Sequence, residues 1–218
     1  MIIEKSSQKG AGLKILAERG TLLVADKPPG LTVEQTAEQL GYTPAHRLDK
    51  DTSGVLLLAK NQETLEFLQK QFKERKVEKR YICLVEGSFR ENSGTIHTLL
   101  ARSPADRRKQ RTYPLNEPKE GRREALTEWK VLQRFEGYTL LEATPKTGRK
   151  HQIRAHMVSI GHPIAADKLY GFKNQQTPRG LYRQFLHASY LAIQGQKFTS
   201  ELPPDLQQVV NALQPYDN

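Results

Sequence analysis

The sequence predicts an α+β fold, and three observations carry the prediction. Strand-length apolar runs at residues 21–25 and 55–60 are bounded by turn-forming residues. Apolar residues recurring three and four apart, as in Leu65, Leu68 and Phe72, form the stripe of an amphipathic helix. Two neighbouring stretches, 124–132 and 137–143, alternate as paired strands do, joined around residues 134–137. A chain of 218 residues can bury one substantial core, or two small ones sharing a cleft, and we read residues 1–218 as a single domain.

In chain order, residues 13–20 read as a short helix or an irregular approach to the first strand, 21–25. Asp26, Lys27, Pro28, Pro29 and Gly30 end that strand in a rigid turn. Residues 33–40 have helical spacing, closed by Gly41. After the strand at 55–60, Asn61 is placed to cap a helix running to about Arg75, with a solvated charged end at residues 73–76. Residues 78–87 read as a strand bounded by charge and glycine. Between residues 101 and 123 the pattern dissolves: Arg102, Arg107, Arg108, Lys109, Arg111, Lys119, Arg122 and Arg123 are interleaved with Pro104, Pro114, Pro118 and Gly121. This reads as a long, mobile or extended surface insertion, the densest positive cluster in the chain, with Tyr113 as a stacking surface. Residues 147–157 open with a turn and become a helix whose buried stripe is Ile153, Met157 and Ile160, stopped by Gly161. Arg154 then projects about a quarter-turn from the core direction. A last helical pattern covers 206–213.

Composition narrows the partners. Lys and Arg number 34 against 24 Asp and Glu, a formal net charge of +10. Such a surplus attracts polyanions, of which nucleic acid is the commonest inside cells. No apolar run approaches the roughly 20 residues of a membrane-spanning helix. Residues 1–10, with Glu4, Lys5 and Lys9, lack the apolar segment of a secretory signal. Cys83 is the single cysteine, so a disulfide framework is excluded and a reducing cytoplasm is the expected location. A monomer is the default expectation.

Two charged stretches stand apart. His46-Arg47-Leu48-Asp49-Lys50-Asp51-Thr52-Ser53-Gly54 is a turn-ended loop that feeds directly into the apolar run at 55–60, a rigid mount for a reactive group. By composition alone Asp49 and Asp51 could as well cap a turn. Thr147-Gly148-Arg149-Lys150-His151-Gln152-Ile153-Arg154-Ala155-His156 is the second. His151, His156 and His162 fit no common zinc spacing, so no metal site is expected.

Residues 46–54 match the His-Arg-Leu-Asp-x-x-Thr-Ser-Gly signature of the RluA family of RNA pseudouridine synthases at every fixed position. Residues 147–156 likewise resemble that family's Thr-Gly-Arg-x-His-Gln-Ile/Leu-Arg-x-His motif. Residues 79–87 resemble Lys-x-Tyr-x-x-x-Val-x-Gly, and Lys27-Pro28-Pro29-Gly30 resembles an early Lys-Pro-x-Gly turn that we read as structural, with Lys27 near RNA backbone. Segments at 161–164, 167–171 and 186–191 also resemble the family and read as scaffolding. The likeness runs from about Leu22 to Leu206, with a short interval between Gly30 and His46 and without an S4-like domain ahead of the motifs.

The resemblance implies a mixed, largely antiparallel sheet with flanking helices and a central basic cleft. It implies isomerisation of uridine in ribosomal or transfer RNA, without metal or organic cofactor. By the same resemblance Asp49 is the catalytic carboxylate, attacking either ribose C1′ or uracil C6. Arg154 pairs with it, Tyr81 lies against the uracil, and Arg47 helps hold the RNA open. Arg149, Arg107, Arg108 and Lys109 are expected RNA contacts. Two rivals differ in class: a non-catalytic RNA-binding module, which leaves Arg47, Asp49, Tyr81 and Arg154 without a purpose, and a glycosidase using Asp49 with Asp51. Strand alternation points that carboxylate pair in opposite directions.

Overall fold

The computed structural model describes residues 7–9, 13–174 and 176–216, so the charged start at Glu4 and Lys5 lies outside it. In chain order the elements are β1 (Ser7–Lys9), β2 (Leu13–Arg19), β3 (Leu22–Lys27), α1 (Val33–Leu40), β4 (Thr43–Pro44), β5 (Ser53–Ala59) and α2 (Gln62–Lys73). There follow β6 (Glu78–Glu86), β7 (Ser93–Arg102), β8 (Gln110–Tyr113), β9 (Arg123–Phe135), β10 (Tyr138–Pro145), α3 (Gln152–Ser159), β11 (Leu186–Ile193), β12 (Gln196–Thr199) and α4 (Pro204–Ala212). Every pairing described below is antiparallel except β5 with β11, so the fold is α+β with mixed, largely antiparallel strands, as the sequence predicts. Among the described residues, no helix is long and apolar enough to cross a membrane. Two compact units emerge, one of residues 1–79 with 187–203, the other of residues 80–186 with 204–218.

In the first unit the strand order is β1-β2-β3-β5-β11, with β4 on β5 and β12 on β11. All seven residues of β5 are buried, the pattern of a strand covered on both faces. Val55 and Leu57 pack with Val24, Leu68 of α2, Leu191 and Phe198. Both helix starts are capped as their sequences require. Thr32 and Gln35 form a reciprocal capping box, and the Asn61 side chain accepts from the Thr64 amide at 2.9 Å. Gly41 ends α1 at φ 71°, a left-handed turn that glycine adopts without penalty. Residues 13–19 are strand, neither helix nor irregular: alternation at Leu13, Ile15 and Ala17 buries one face, and pairing with β3 fixes the period at two.

In the second unit the order is β6-β10-β9-β7-β8. The pair expected at 124–132 and 137–143 is β9 with β10, paired from Tyr138↔Phe135 to Pro145↔Thr127 with a shift of register between Leu140 and Leu141. A small cluster of Leu100, Ala125, Ala155 and Tyr170 packs α3 against this sheet. α4 is tied down by Arg183, whose Nε donates to Asp205 at 2.7 Å. The segment 101–123 is extended but not patternless. Its first two residues finish β7, residues 110–113 form β8 on the edge of the sheet, and Arg123 begins β9.

Candidate active site

The first unit carries Asp49 on the loop between β4 and β5. Leu48 is buried and anchors the loop, Asp49 is half-buried, and Arg47 and Lys50 are exposed. The Thr52 amide donates to the Asp49 carbonyl at 3.0 Å, closing the turn, and the Gly30 amide donates to the Lys50 carbonyl at 3.0 Å. Lys27 is the brace beneath. Its side chain is 0% exposed, and its ammonium donates to the carbonyls of Pro28 at 2.8 Å, Leu31 at 2.7 Å and Lys50 at 2.9 Å. A buried ammonium survives only when its protons are met by acceptors, and here backbone dipoles meet them. The expectation that Lys27 lies near RNA backbone is therefore corrected: it is an internal tie between the Pro-Pro-Gly turn and the Asp49 loop.

His46, Ser53 and Gly54 fix the same loop from the other side. The Leu57 amide donates to His46 Nε2 at 3.0 Å, so that nitrogen is unprotonated, and the ring lies against Phe72 with centroids 4.7 Å apart. Burial above all, and then the Lys79 ammonium, push the imidazole from 6.5 down to about 3; burial also brings Lys79 down to about 8. His46 is thus a neutral splint at physiological pH. His187 Nε2 faces the Ser200 carbonyl at 3.0 Å and must donate to it, so in the neutral ring Nδ1 accepts from the Ser53 hydroxyl at 2.9 Å. Gly54 has φ 113°, and a Cβ there would run into the Ala188 backbone, its partner in the parallel β5–β11 pair. Only glycine satisfies both conditions. Sequence reasoning assigned His46, Ser53 and Gly54 no part of their own, since their partners lie 11 to 134 residues away in the chain.

The second unit carries Arg154 in α3. The helix starts from His151, which has a left-handed φ of 54°. Gln152 organises that start: its Oε1 accepts from the Thr147 hydroxyl at 2.7 Å and the Arg149 amide at 3.0 Å. Its Nε2 donates to the Leu126 carbonyl at 3.0 Å and to Thr127 Oγ1 at 2.9 Å. The half-buried Arg149 turns its Nε to the Glu124 carbonyl at 3.0 Å. Arg154 is 6% exposed and Asp167 1%. They meet as a fork, Nε to Oδ2 at 2.7 Å and Nη2 to Oδ1 at 2.8 Å. Asp167 Oδ1 also accepts from the amides of Leu169 and Tyr170, both at 3.0 Å. Charges this deep are tolerated because each has several partners. Sequence reasoning placed Asp167 in scaffolding and missed that it aims this guanidinium.

The expected buried stripe of α3 needs correction. Ile160 is 38% exposed, while Arg154 and His156 are buried. The helix is packed on more than one side, so polar residues with internal partners occupy positions that periodicity would leave at the surface. The three histidines serve separate places. His156 lies between Thr127 Oγ1 at 2.9 Å and Thr98 Oγ1 at 3.1 Å, and burial, then His97, push it down to about 4. His151 Nδ1 is 3.0 Å from the Tyr170 hydroxyl, and His162 donates from Nδ1 to the Glu86 carbonyl at 2.7 Å.

Tyr81 lies half-buried on β6 opposite Ala143 of β10. Burial pushes the Cys83 thiol up to about 12, which suits packing and not nucleophilic chemistry. In the basic segment the cations divide. Arg107 is exposed, and Lys109 is half-buried with Nζ 5.9 Å from the Tyr170 ring. Arg108 forks Asp106 at 3.0 and 2.8 Å, and this bond foremost holds Asp106 down to about 2. Arg122 sits 3.7 Å over Tyr113 and donates to the Glu117 carbonyl at 2.7 Å. Tyr113, expected as a stacking surface, thus has a guanidinium over one of its faces.

The profile of the RNA pseudouridylate synthase family matches residues 21–159. An uncharacterized RNA pseudouridine synthase of Aquifex aeolicus is 40% identical over 196 residues, spanning 78% of this chain and 59% of its own. Ribosomal large subunit pseudouridine synthase D of Nitrosomonas europaea is 35% identical, spanning 92% of this chain and 65% of its own. The chain thus covers less than two thirds of the length of these relatives. Among solved structures, human RNA pseudouridylate synthase domain containing 1 superposes with a TM-score of 0.80 at 27% identity, over 94% of this chain and 89% of the human one.

Proposed function

Because the chain belongs to the RNA pseudouridylate synthase family, with RluA-type motifs complete at residues 46–54 and 147–156, we propose that it isomerises uridine in RNA to pseudouridine. The observation that carries the proposal is the bracing of the Asp49 loop. Lys27, His46, Ser53 and Gly54 hold a half-buried carboxylate on a rigid turn, an investment that a merely solvated loop would not need.

The reaction breaks the bond from uracil N1 to ribose C1′ and makes one from C5 to C1′; the C5 proton leaves and N1 gains one. A stacked uridine must first be flipped, and phosphate contacts offset that cost. Asp49 is the nucleophile, at C1′ or at C6. By the family resemblance Arg154, already aimed by Asp167, is the arginine partner of the catalytic carboxylate. Tyr81 offers an aromatic face to the uracil and assists removal of the C5 proton. Arg47, Arg149, Arg107, Arg108 and Lys109 hold the RNA backbone. The reading takes residues 1–218 as one catalytic domain with 101–123 as its basic arm, acting as a cytoplasmic monomer on ribosomal or transfer RNA, without cofactor.

The test is incubation of the chain with RNA carrying uridine tritiated at C5, under single turnover. Tritium release matched mole for mole by pseudouridine is the expected result. Free uracil would instead indicate a nucleosidase, and RNA binding without either product a non-catalytic module.

A further inference from the structure

The second unit places one side chain between the basic arm and the arginine helix. Tyr170 is buried, and its hydroxyl accepts from the Gln110 amide at 2.6 Å, the first residue of β8 and the one that follows Arg107, Arg108 and Lys109. The same hydroxyl meets His151 Nδ1 at 3.0 Å, at the left-handed residue from which α3 starts. The Tyr170 ring lies 5.0 Å from the Arg154 guanidinium carbon, and the Tyr170 amide donates to Asp167, which forks Arg154. On the arm side the tip is stiff. Ser103 donates to the Lys109 carbonyl at 3.0 Å and Lys109 to the Asp106 carbonyl at 2.9 Å, so a load on the tip is passed to Gln110 rather than absorbed in a loose loop.

The geometry points to Tyr170 as a positioning residue that couples RNA engagement by the arm at residues 103–110 to the setting of Arg154. This rests on the isomerase reading above and adds a relay to it. Phosphates drawn to Arg107 and Lys109 steady the start of β8. Through its amide that order reaches the Tyr170 hydroxyl, and from there the first turn of α3 and the Asp167–Arg154 fork. Tyr170 touches none of the reacting atoms; its effect passes through Arg154. A purely structural tyrosine would change stability but would not make turnover depend on charges at the tip.

Tyr170→Phe keeps the ring, the Asp167 contact through the backbone and the packing, and deletes only the hydroxyl. Wild type, Arg107→Ala/Lys109→Ala, Tyr170→Phe and the triple variant are compared by binding and by single-turnover rate at saturating RNA. In the wild-type background, removing the tip charges weakens binding and also slows the bound-state rate about ten-fold, a loss beyond ground-state binding. In the Tyr170→Phe background it weakens binding alone. Equal factors on the bound-state rate in both backgrounds, or none in either, overturn the relay. Hydrogen exchange in the wild-type protein gives a second reading that needs no isomerase activity or Tyr170 variant. An oligouridine RNA should protect amides at residues 152–156 as well as 103–113, and Arg107→Ala/Lys109→Ala should abolish both. Protection of 103–113 alone overturns the relay, whereas the full protection pattern without any pseudouridine fells the isomerase reading and leaves the relay standing.

Discussion

Replacing Lys27 with Met tests whether the Asp49 loop is held from beneath. Methionine nearly matches the volume but donates nothing, so the carbonyls of Pro28 and Leu31 lose the ammonium, while that of Lys50 keeps the Gly30 amide at 3.0 Å. Three charge-assisted bonds at about 1.5–3 kcal/mol each would total roughly 4.5–9 kcal/mol. Relief of the buried ammonium's desolvation offsets several kcal/mol of that, leaving a net loss of about 3–5 kcal/mol. Against a domain stability of about 5–15 kcal/mol this is a major fraction. In urea titration followed by circular dichroism, an m-value near 2 kcal/mol/M turns the loss into a midpoint shift of roughly 1.5–2.5 M. Lys27→Arg should not rescue, because a planar guanidinium does not fit a socket shaped around three converging carbonyls. A midpoint within about 0.5 M of wild type, a loss of only about 1 kcal/mol, would refute the brace.

Three further outcomes follow from the same geometry. Gly54→Ala, strained at φ 113° and pressed into the Ala188 backbone, should cost about 3 kcal/mol or more in thermal or chemical unfolding; a stable, soluble Ala variant would contradict the close approach. His46 titrates at about 3 when folded and at 6.5 when unfolded, so between these values the unfolded chain binds the extra proton. Stability is full above pH 6.5 and falls as pH drops toward 3, with His156 adding to the same limb, and His46→Gln should flatten the acid side of the urea midpoint against pH; an unchanged slope would count against it. Arg107→Glu/Lys109→Glu should weaken RNA binding and lower the slope of log K against log salt by about 0.7 per lost phosphate contact, whereas Arg108→Glu, replacing a residue already forked to Asp106, should do less. Equal effects from Arg107→Glu and Arg108→Glu, each made singly, would show that the fork does not hold in the complex.

Much of the fold was legible because local signals and tertiary demands agree. Gly41 and Asn61 bound their helices as expected, β5 reads as an apolar run, and β9 and β10 alternate. Residues 13–19 misled because a short run of apolar and charged residues fits either period until β3 is beside it. The two motif stretches were visible, but what steadies them was not. Lys27 beside two prolines looks like a surface turn, and only the fold shows its ammonium turned inward. Asp167 lies 13 residues after Arg154, and no periodicity connects them. Among the cations at 101–123, sequence counts charges but cannot tell Arg108 and Arg122, committed to Asp106 and Glu117, from the exposed Arg107.

The central claim is that the carboxylate of Asp49 performs the chemistry. Asp49→Asn preserves size and the backbone bond from the Thr52 amide to the residue 49 carbonyl, so the fold and RNA affinity should survive. The most direct measurement is the single-turnover yield of pseudouridine from C5-tritiated RNA by this variant at saturating concentration. The account predicts RNA bound as in the wild type and no tritium released over many wild-type half-times; release at the wild-type rate would contradict it.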